Sequence, residues 1–439
     1  MIRKLVDVQA HEQATLAWAF IYFFCLLCSY YILRPIRDAM GISAGVEGLQ
    51  VLYLVTIVAM LALVPLFGWL TSRWPRRQFL PVIYLFFIAN LVLFYLAFSW
   101  FPDATLLAQG FYLWVNVYNL FVVSVFWSFM ADVFTDAQAK RLFGFIAAGG
   151  SAGAIVGPTI TSTLIGVLGQ QSLMLVSALF LVFAIICISR IVRADQLMES
   201  VEKELNPEIA RSSLEDKEQV LQGGLWAGVT LVARSPYLLG ICVLMLCYSI
   251  LSTFLYFQQV QIIAEHFADS ETRTVMFARV DLVVNVLTIV IQLFVTGKLI
   301  RWLGIGKTLA IVPIVLALGL LLLGLAPTLG ISMLVVVIGL QIVRRAGYYS
   351  IINPAREALY VVLSRTEKYK AKNFVDTSVY RGGDAIAAGL SGVLRTAGFS
   401  IANIAFMAVP LALVWAGASL WLGRKHEELT RASESQLSE

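Results

Sequence analysis

The stretch TLAWAFIYFFCLLCSYYILR, residues 15–34, carries no charged side chain until its last residue, Arg34. A helix needs about 20 predominantly apolar residues to cross the roughly 30 Å hydrocarbon core of a bilayer, and this run is long enough. Similar runs recur along a chain of 439 residues that is 59% hydrophobic and 13% charged, whereas soluble domains carry about 25% charged residues. The sequence therefore predicts an all-α polytopic membrane protein and argues against a soluble globule.

Similar runs on the C-terminal side of this one give about twelve predicted transmembrane helices in two six-helix bundles. The predicted spans lie near residues 15–34, 49–70, 80–100, 110–131, 143–167, 171–191, 237–262, 277–299, 308–326, 331–361, 374–397 and 400–422. The predicted domains are an N-terminal bundle at 1–191, a cytoplasmic linker with an amphipathic helix at 192–236, a C-terminal bundle at 237–424 and a cytoplasmic tail at 425–439. A plain flexible linker is the alternative for the second of these.

Basic residues are concentrated in alternate loops. TSRWPRRQ (71–78) and SRTEKYKAK (364–372) are strongly basic, whereas PDATLLAQ (102–109) has no basic residue and ADSETR (268–273) has one. Cytoplasmic loops carry the excess of lysine and arginine in membrane proteins. We therefore expect both termini to be cytoplasmic and the chain to be a multi-pass protein of a bacterial inner (plasma) membrane.

The two halves of the chain echo each other. GWLTSRWPRR (68–77) corresponds to GKLIRWLGIGK (297–307), and AAGGSAGA (147–154) corresponds to YRGGDAIA (380–387). Such internal repeats are typical of secondary transporters. The first pair resembles the signature loop of the major facilitator superfamily, with Ser72 in place of its usual aspartate.

Gly149, Gly153 and Gly157 form a small-residue stripe in the fifth predicted span. Such a stripe lets another helix approach closely. Gly144, Gly153 and Gly157-Pro158 also follow the spacing of a motif in antiporters of the superfamily just named. Plain close packing and an antiport-specific role are both open.

Enzyme chemistry has no visible basis in this sequence. The chain has three histidines and five cysteines, without the spacing of a metal site, and it has no G-x-x-x-x-G-K-[ST] phosphate loop. We expect no enzymatic activity, no cofactor, no metal and no nucleic-acid partner. A non-transporting receptor or a membrane enzyme remains the weakest alternative.

Charged side chains gather at predicted membrane depth, where each costs about 2.5–3.5 kcal/mol on insertion scales and so requires a wet cavity or a partner. The candidate coupling or gating acids are Asp38, Asp132, Asp281, Glu357, Asp376 and Asp384. The bases that gather with these acids are Arg34, Arg37, Arg279, Arg344, Arg345, Arg356 and Arg381. Because arginine suits bidentate contact with phosphate or carboxylate, the pattern predicts a small anionic solute as partner.

Structural interpretations of the same charges stay open. Arg34 can snorkel to the membrane interface, and other charges can form ion pairs that lock the two halves together. Arg356 and Glu357 are adjacent, so we expect them to point to different faces of a helix and to seek different partners. Arg381 and Asp384 are three residues apart and can pair on one face.

Three motifs resemble the ATP/ADP antiporter family. They are YYSIINPAREALYVVLSRTEKYKAKNFVDTSVYRGGD (348–384), YILRPIRDAMG (31–41) and FWSFMADVFTDAQAKRLFG (126–144). The resemblance implies a major facilitator-like fold, a monomer, and nucleotide exchange by alternating access without hydrolysis. It also implies that Arg37 and Arg381 stand where the family has bases that contact substrate.

The chain departs from the family at defined positions. Family lysines stand here as Arg37, Arg356 and Arg381, a family acid stands as Gln259, and a family aspartate stands as Asn353. Tyrosines beside the bases suit a flat ring such as a nucleobase, although interfacial tyrosines are common in membrane proteins. The predicted substrate-binding residues are Tyr31, Arg34, Arg37, Gln259, Arg344, Arg345, Tyr349, Asn353, Arg356 and Arg381.

The predicted function is secondary active transport of an anionic, nucleotide-like or phosphorylated solute, with exchange favoured. The alternative is a proton-coupled transporter of another metabolite or drug on the same fold. In that case Asp132, Asp281, Asp376 and Asp384 would carry protons.

Overall fold

The computed structural model describes residues 8–9, 12–73, 76–205, 231–363, 371–372 and 374–438, and the regular structure in these ranges is helical throughout. In hydrocarbon each unsatisfied backbone N–H or C=O group costs several kcal/mol, so an apolar chain that crosses a membrane satisfies these groups within helices. The predicted all-α class is confirmed.

Five helices form the N-terminal half of the described chain. They are α1 (Gln13–Gly41), α2 (Gly45–Arg73), α3 (Arg76–Trp100), α4 (Thr105–Val133) and α5 (Asp136–Leu205). Helix α5 is broken at Gly169, where φ is 76°. Glycine tolerates this left-handed region at no steric cost, so the helix is interrupted there and divides into two helical arms.

Seven α-helices follow in the described residues of the C-terminal half. They are α6 (Pro236–His266), α7 (Ser270–Ile291), α8 (Gly297–Leu329), α9 (Met333–Gly347), α10 (Asn353–Leu359), α11 (Tyr380–Thr396) and α12 (Ile401–Ser438). Single π-helical turns join α7 to α8, join α9 to α10 and precede α11; they are Gln292–Thr296, Tyr348–Ile352 and Val375–Val379. Gly304, with φ of 75°, breaks α8 as Gly169 breaks α5.

Eight helical stretches of the described chain are long and apolar enough to cross a membrane. Two of them, Arg141–Ala194 and Ser270–Leu329, contain the broken positions Gly169 and Gly304, so each makes two passes. With α2, and with α11 and its π-helical lead, the described residues account for the twelve predicted spans.

Some predicted features lie outside the described residues. The basic loops there include residues 74–75 and 364–370, and most of the predicted linker is residues 206–230. On the near side of that gap, α5 continues as a helix to Leu205, beyond the end predicted for the sixth span. The domain limits and the amphipathic helix stay predictions.

The chain forms two compact units. Unit 1 comprises Met1–Gly45, Val58–Leu221 and Asp269–Leu282, and unit 2 comprises Val46–Ile57, Gln222–Ala268 and Val283–Glu439. Each has its own apolar core. The core of unit 1 is rich in aromatic side chains of α1, α3 and α4, including Tyr22, Phe111 and Phe126, and the core of unit 2 includes Tyr360 and Trp415.

Glycines on α5 allow the backbone of α1 to come unusually close in unit 1. A methyl group added at Gly149 or Gly153 would collide with the carbonyl oxygens of Phe20 and Phe24, respectively. One added at Gly157 would lie 2.8 Å from the carbonyl oxygen of Cys28. The small-residue stripe therefore serves close helix packing in this structure.

Candidate functional site

Arg37 lies in the last turns of α1, with 8% of its surface exposed. Its Nε and Nη2 donate to Oδ1 of Asp38 at 3.1 and 2.6 Å, and its Nη1 donates to Oδ1 of Asn116 at 2.8 Å. The guanidinium carbon also lies 5.5 Å from the centre of the Tyr112 ring. Sequence reasoning missed Asn116, which carries no charge and therefore gave no signal.

A second arginine of unit 1, Arg34, points toward an acid. Its Nε lies 3.7 Å from Oδ2 of Asp281, and the two side chains are 18% and 3% exposed. The Tyr31 ring lies beside the guanidinium, 5.7 Å from its carbon to the ring centre. This geometry favours an ion-paired Arg34 over a snorkelling one, because the acid that it approaches is buried.

Asp132 is not part of this cluster. It lies exposed in the last turn of α4, sixteen residues beyond the Asn116 that holds Arg37. At 1.5 Å per residue, this places it about 24 Å away along the helix axis.

In unit 2, Arg344 on α9 is 7% exposed and bonds to neutral groups. Its Nε and Nη2 donate to Oε1 of Gln341 at 3.1 and 2.7 Å, and its Nη1 makes a short hydrogen bond to Oγ of Ser252. No carboxylate among the described residues forms an ion pair with it. Burying a charge without a counter-charge is costly, so this arrangement can accept an anion.

Aromatic side chains lie beside this arginine. The rings of Tyr248 and Tyr348 stack with centroids 4.1 Å apart and planes 7° apart, and Tyr349 meets Tyr348 edge-on with ring centroids 5.3 Å apart. Arg345, the next residue after Arg344, is 8% exposed, whereas Tyr349 is 46% exposed. The stacked pair shows that flat rings pack face to face in this part of unit 2.

Arg356 on α10 makes several polar contacts. It donates to Oδ1 of Asp376 at 2.7 Å and to Oδ1 of Asn353 at 3.1 Å, and it lies 3.5 Å from Oε1 of Glu357. Lys372 donates to the other oxygen of Glu357 at 2.7 Å. As expected, Arg356 and Glu357 have different partners, Asp376 and Lys372, although the long guanidinium side chain also reaches its neighbour.

Arg381 and Asp384 on α11 approach each other as their spacing suggests, with Nη1 3.4 Å from Oδ2. The aspartate is 1% exposed. Its Oδ1 lies 2.7 Å from the hydroxyls of Ser249 and Thr253 on α6. Sequence reasoning missed these hydroxyls, although the i, i+4 spacing of Ser249 and Thr253 places both on one helical face.

Gln259, further along α6, is not joined to the arginines. It is 3% exposed, and its Nε2 has no hydrogen-bond partner among the described residues. Within the same residues, no group of three or more histidine, cysteine, aspartate or glutamate side chains could hold a metal ion.

One polar cluster lies outside the spans, where α1 begins in unit 1. Glu12 accepts hydrogen bonds from the Gln9 backbone N–H, Gln138 Nε2 and Arg141 Nη2, each at 2.9 Å. Burial alone would raise the pKa of Glu12, but the Gln9, Gln138 and Arg141 hydrogen bonds and the Arg141 charge outweigh it and lower the pKa below its ordinary value of 4.5. Arg141 belongs to the third motif of the sequence resemblance, so that motif has a structural role at this end of unit 1.

Comparison with known proteins gives a family and two relatives. Residues 121–368 match the profile of the Major Facilitator Superfamily. A protein named ADP,ATP carrier protein 1 from Chlamydia trachomatis serovar D is 23% identical, over 99% of this chain and 93% of the relative. Its namesake from Chlamydia muridarum is also 23% identical over the same shares. The resemblance indicated by the three motifs is confirmed.

Solved structures share the fold. A POT family transporter in complex with 5-aminolevulinic acid has a TM-score of 0.63 at 12% identity, covering 94% of this chain and 96% of that one. A bacterial homologue of the iron transporter ferroportin in an inward-facing state has a TM-score of 0.60 at 12% identity, covering 92% and 98%. Together with the profile match, these likenesses confirm the predicted major facilitator fold.

Proposed function

This chain belongs to the Major Facilitator Superfamily, and we propose from that premise that it exchanges an anionic, nucleotide-like solute across its membrane by alternating access. It is a multi-pass secondary transporter. The names of its two chlamydial relatives support nucleotides as the cargo class. The proposed binding residues are those predicted from the sequence, and we expect the transporter to work as a monomer.

Arg344 is the observation that carries the proposal. The buried guanidinium has Gln341 and Ser252 as its hydrogen-bonded neighbours. Among the described residues it has no counter-charge of the kind that Arg37 has in Asp38. A phosphate or carboxylate would supply that charge and accept charge-assisted hydrogen bonds. The stacked Tyr248–Tyr348 pair suits a cargo that also has a flat ring.

The substrate class is tested by thermal shift in detergent. ADP, ATP, nucleosides, phosphorylated metabolites and organic acids are compared, because a ligand that binds the folded state raises the melting temperature by mass action. We expect phosphorylated nucleotides to give the largest shift and nucleosides to give little. A shift with organic acids but none with nucleotides would contradict the nucleotide assignment.

The role of Arg344 is tested in the same assay with Arg344→Gln. Removing one partner of a buried, hydrogen-bonded charge pair costs about 2 kcal/mol or more, so ADP affinity should fall about 30-fold or more. Arg301→Gln is the matched control, since Arg301 is an exposed arginine of the same unit. Equal affinity in the Arg344 variant and the control would remove Arg344 from the site.

Exchange is tested in proteoliposomes. We expect labelled ADP to enter vesicles loaded with unlabelled ADP several-fold faster than empty vesicles. Equal rates would contradict exchange without contradicting transport.

The orientation is part of the proposal. We place both termini in the cytoplasm of a bacterium, with the chain in the inner membrane, because the basic loops fall on that side. A C-terminal alkaline phosphatase fusion should be inactive and a C-terminal fluorescent protein fusion should be bright. The reverse result would invert the orientation.

A further inference from the structure

The hydroxyl of Ser249, beside Asp384, makes more hydrogen-bond contacts to acceptor atoms than its single proton can supply. Oγ of Ser249 lies 2.7 Å from the backbone oxygen of Tyr380 and 2.7 Å from Oδ1 of Asp384. Both distances are those of full O–H···O hydrogen bonds. A serine hydroxyl carries one proton, and the Tyr380 carbonyl can only accept. A second proton is therefore needed to complete both bonds.

A protonated Asp384 supplies that proton. Its O–H then donates to Ser249, Ser249 donates to the carbonyl of Tyr380, and Thr253 donates to the carboxyl at 2.7 Å. An ionised Asp384 has no proton to give. Ser249 would then have to divide its one proton between two acceptors or leave one contact unpaired.

The surroundings of Asp384 also favour the neutral acid. The residue is 1% exposed, and Ser249 and Thr253 are 0% and 2% exposed. Its cationic neighbour, Arg381, stops at 3.4 Å and keeps 32% of its side chain exposed. Burying an ionised carboxylate is expensive unless it is closely paired, and this pair is loose.

Among the described residues, the titratable and charged groups around Asp384 come from α11, the π-helical turn before it, α6 and α2. Arg381 and Tyr380 lie on its own helix, α11, and Tyr248 on α6 lies with its ring 6.1 Å from that of Tyr380. From α2, the hydroxyl of Tyr53 lies 3.4 Å from that of Thr253. Asp376 lies on the π-helical turn before α11 and is held by Arg356 at 2.7 Å. Arg381 is thus the cation that can form an ion pair with Asp384 when Asp384 is ionised.

We propose that Asp384 is a proton-binding site that switches Arg381 between its own carboxylate and the anionic cargo. With Asp384 protonated, Arg381 has no carboxylate to neutralise it and is available to the anion. With Asp384 ionised, the two side chains form an ion pair that competes with the anion. The inference rests on the proposed function, since it names the ion that accompanies the anion at the same site.

Thermodynamic linkage fixes the sign of the effect. If a proton on Asp384 tightens anion binding, then a bound anion tightens the proton by the same factor. Anion affinity should therefore rise as the pH falls, and at most one proton should enter with each anion. For a single linked proton, the affinity changes at most about tenfold per pH unit.

Infrared difference spectra between alkaline and acidic pH test the proton site without any ligand. We expect the carbonyl band of a protonated carboxyl that Asp384→Asn removes and that Asp103→Asn, a change at an exposed acid, leaves in place. In Arg381→Gln the band should remain and should persist to higher pH than in wild type, because removing a cation favours the neutral acid. A band unchanged in Asp384→Asn would overturn the proton site.

ADP binding, measured by calorimetry across the same pH range, tests the linkage. Wild-type affinity should weaken as the pH rises. The asparagine of Asp384→Asn has fixed N–H donors and no charge, so this variant should keep the acidic-pH affinity throughout. ADP itself titrates, with a phosphate pKa of about 6, but it does so equally with both proteins, so the difference between the two slopes reports Asp384. Parallel slopes would overturn the linkage.

The infrared and calorimetry experiments together distinguish an error in the proton site from an error in the proposed cargo. If the band behaves as expected but neither ADP nor any other nucleotide binds, the proposed cargo is wrong and the proton site stands. If ADP binds but no band depends on Asp384, the cargo stands and this inference fails. A folded Asp384→Asn protein is recognised by a single sharp melting transition, and Arg381→Gln provides the second, independent variant in both arms.

Discussion

Arginines of α1 in unit 1 have carboxylate partners, whereas the buried Arg344 of unit 2 has none among the described residues. In unit 1, Arg37 lies 2.6 Å from the carboxylate of Asp38, and Arg34 lies 3.7 Å from that of Asp281. In unit 2, Arg344 is as buried as Arg37 but bonds to an amide oxygen and a hydroxyl. Charges that are already compensated hold a framework together, whereas an uncompensated cation is available to a ligand. Arg344 is therefore the first of the proposed binding residues to test for anion capture.

The helix contacts at the two corresponding Gly-Gly sequences, 149–150 in unit 1 and 382–383 in unit 2, also differ in their polar chemistry. In unit 1, the pair Gly149–Gly150 is followed by Ser151, which donates within its own helix to the oxygen of Ala147 at 3.3 Å. In unit 2, Gly382–Gly383 is followed by Asp384, which bonds across to α6. Similar sequences thus give a tightly packed contact with a serine in unit 1 and a contact with an ionisable aspartate in unit 2.

The largest expected effect comes from one substitution made in both units. Asp38→Asn leaves Arg37 buried without its counter-charge, which should lower the free energy of unfolding by about 3 kcal/mol. Asp384→Asn should change it by less than about 1 kcal/mol at neutral pH, because the proposed native state already holds a neutral acid there. Melting curves of the two ligand-free variants in one detergent provide the measurement.

Equal losses in the two variants would break the comparison, since both acids would then be compensating ions. A loss confined to Asp384→Asn would reverse it. In Asp38→Asn, ADP should not restore the lost stability unless Arg37 itself binds the anion. The response to ADP therefore shows whether Arg37 has a structural role or binds the anion.

The helix contact of unit 1 gives the next effect in size. Gly153→Ala places a methyl group against the backbone of α1, and overpacking of this kind costs about 1–3 kcal/mol. Gly166→Ala, on the same arm of α5, meets nothing within 4 Å and should be neutral or stabilising by up to about 1 kcal/mol. The melting temperature of Gly153→Ala should therefore fall, whereas that of Gly166→Ala should stay the same or rise. If Gly153→Ala is tolerated as well as Gly166→Ala, α1 and α5 are not closely packed in solution.

The sequence predicted the architecture better than the contacts. Apolar runs and the basic loops are long-range patterns, so spans such as 15–34 could be located without coordinates. The pairing of Arg381 with Asp384 was also predictable, because a spacing of three places two side chains on one face. The contacts between different helices were not, since Asn116, Ser249 and Ser252 are neutral residues whose roles depend on which helices pack together.

One sequence expectation held, but the structure adds a contact that it did not include. Adjacent residues of a helix point about 100° apart, so Arg356 and Glu357 were expected to find separate partners. They do, in Asp376 and Lys372, but Arg356 also reaches Glu357 at 3.5 Å. Helix geometry fixes the directions of the Cβ atoms, whereas a guanidinium at the end of a long flexible stem can bend back over its own helix.

The smallest predicted effect concerns Glu12, where the packing of unit 1 depends on pH. The pKa of this acid is lowered in the folded state, because hydrogen bonds from Gln9, Gln138 and Arg141 outweigh the effect of burial. Its contribution is therefore fully present above its ordinary value of 4.5 and is lost as the pH falls through the lower folded value. Glu12→Gln should lower the free energy of unfolding by about 1 kcal/mol at pH 7, and the difference from wild type should shrink as the pH falls below 4.5.

The control is Glu428→Gln, which removes an exposed partner of Lys425 and should lower the free energy of unfolding by less than about 0.5 kcal/mol at any pH. A pH-independent gap between wild type and Glu12→Gln would show that the glutamine disturbs packing rather than charge, and the cluster would then not account for any acid sensitivity of unit 1.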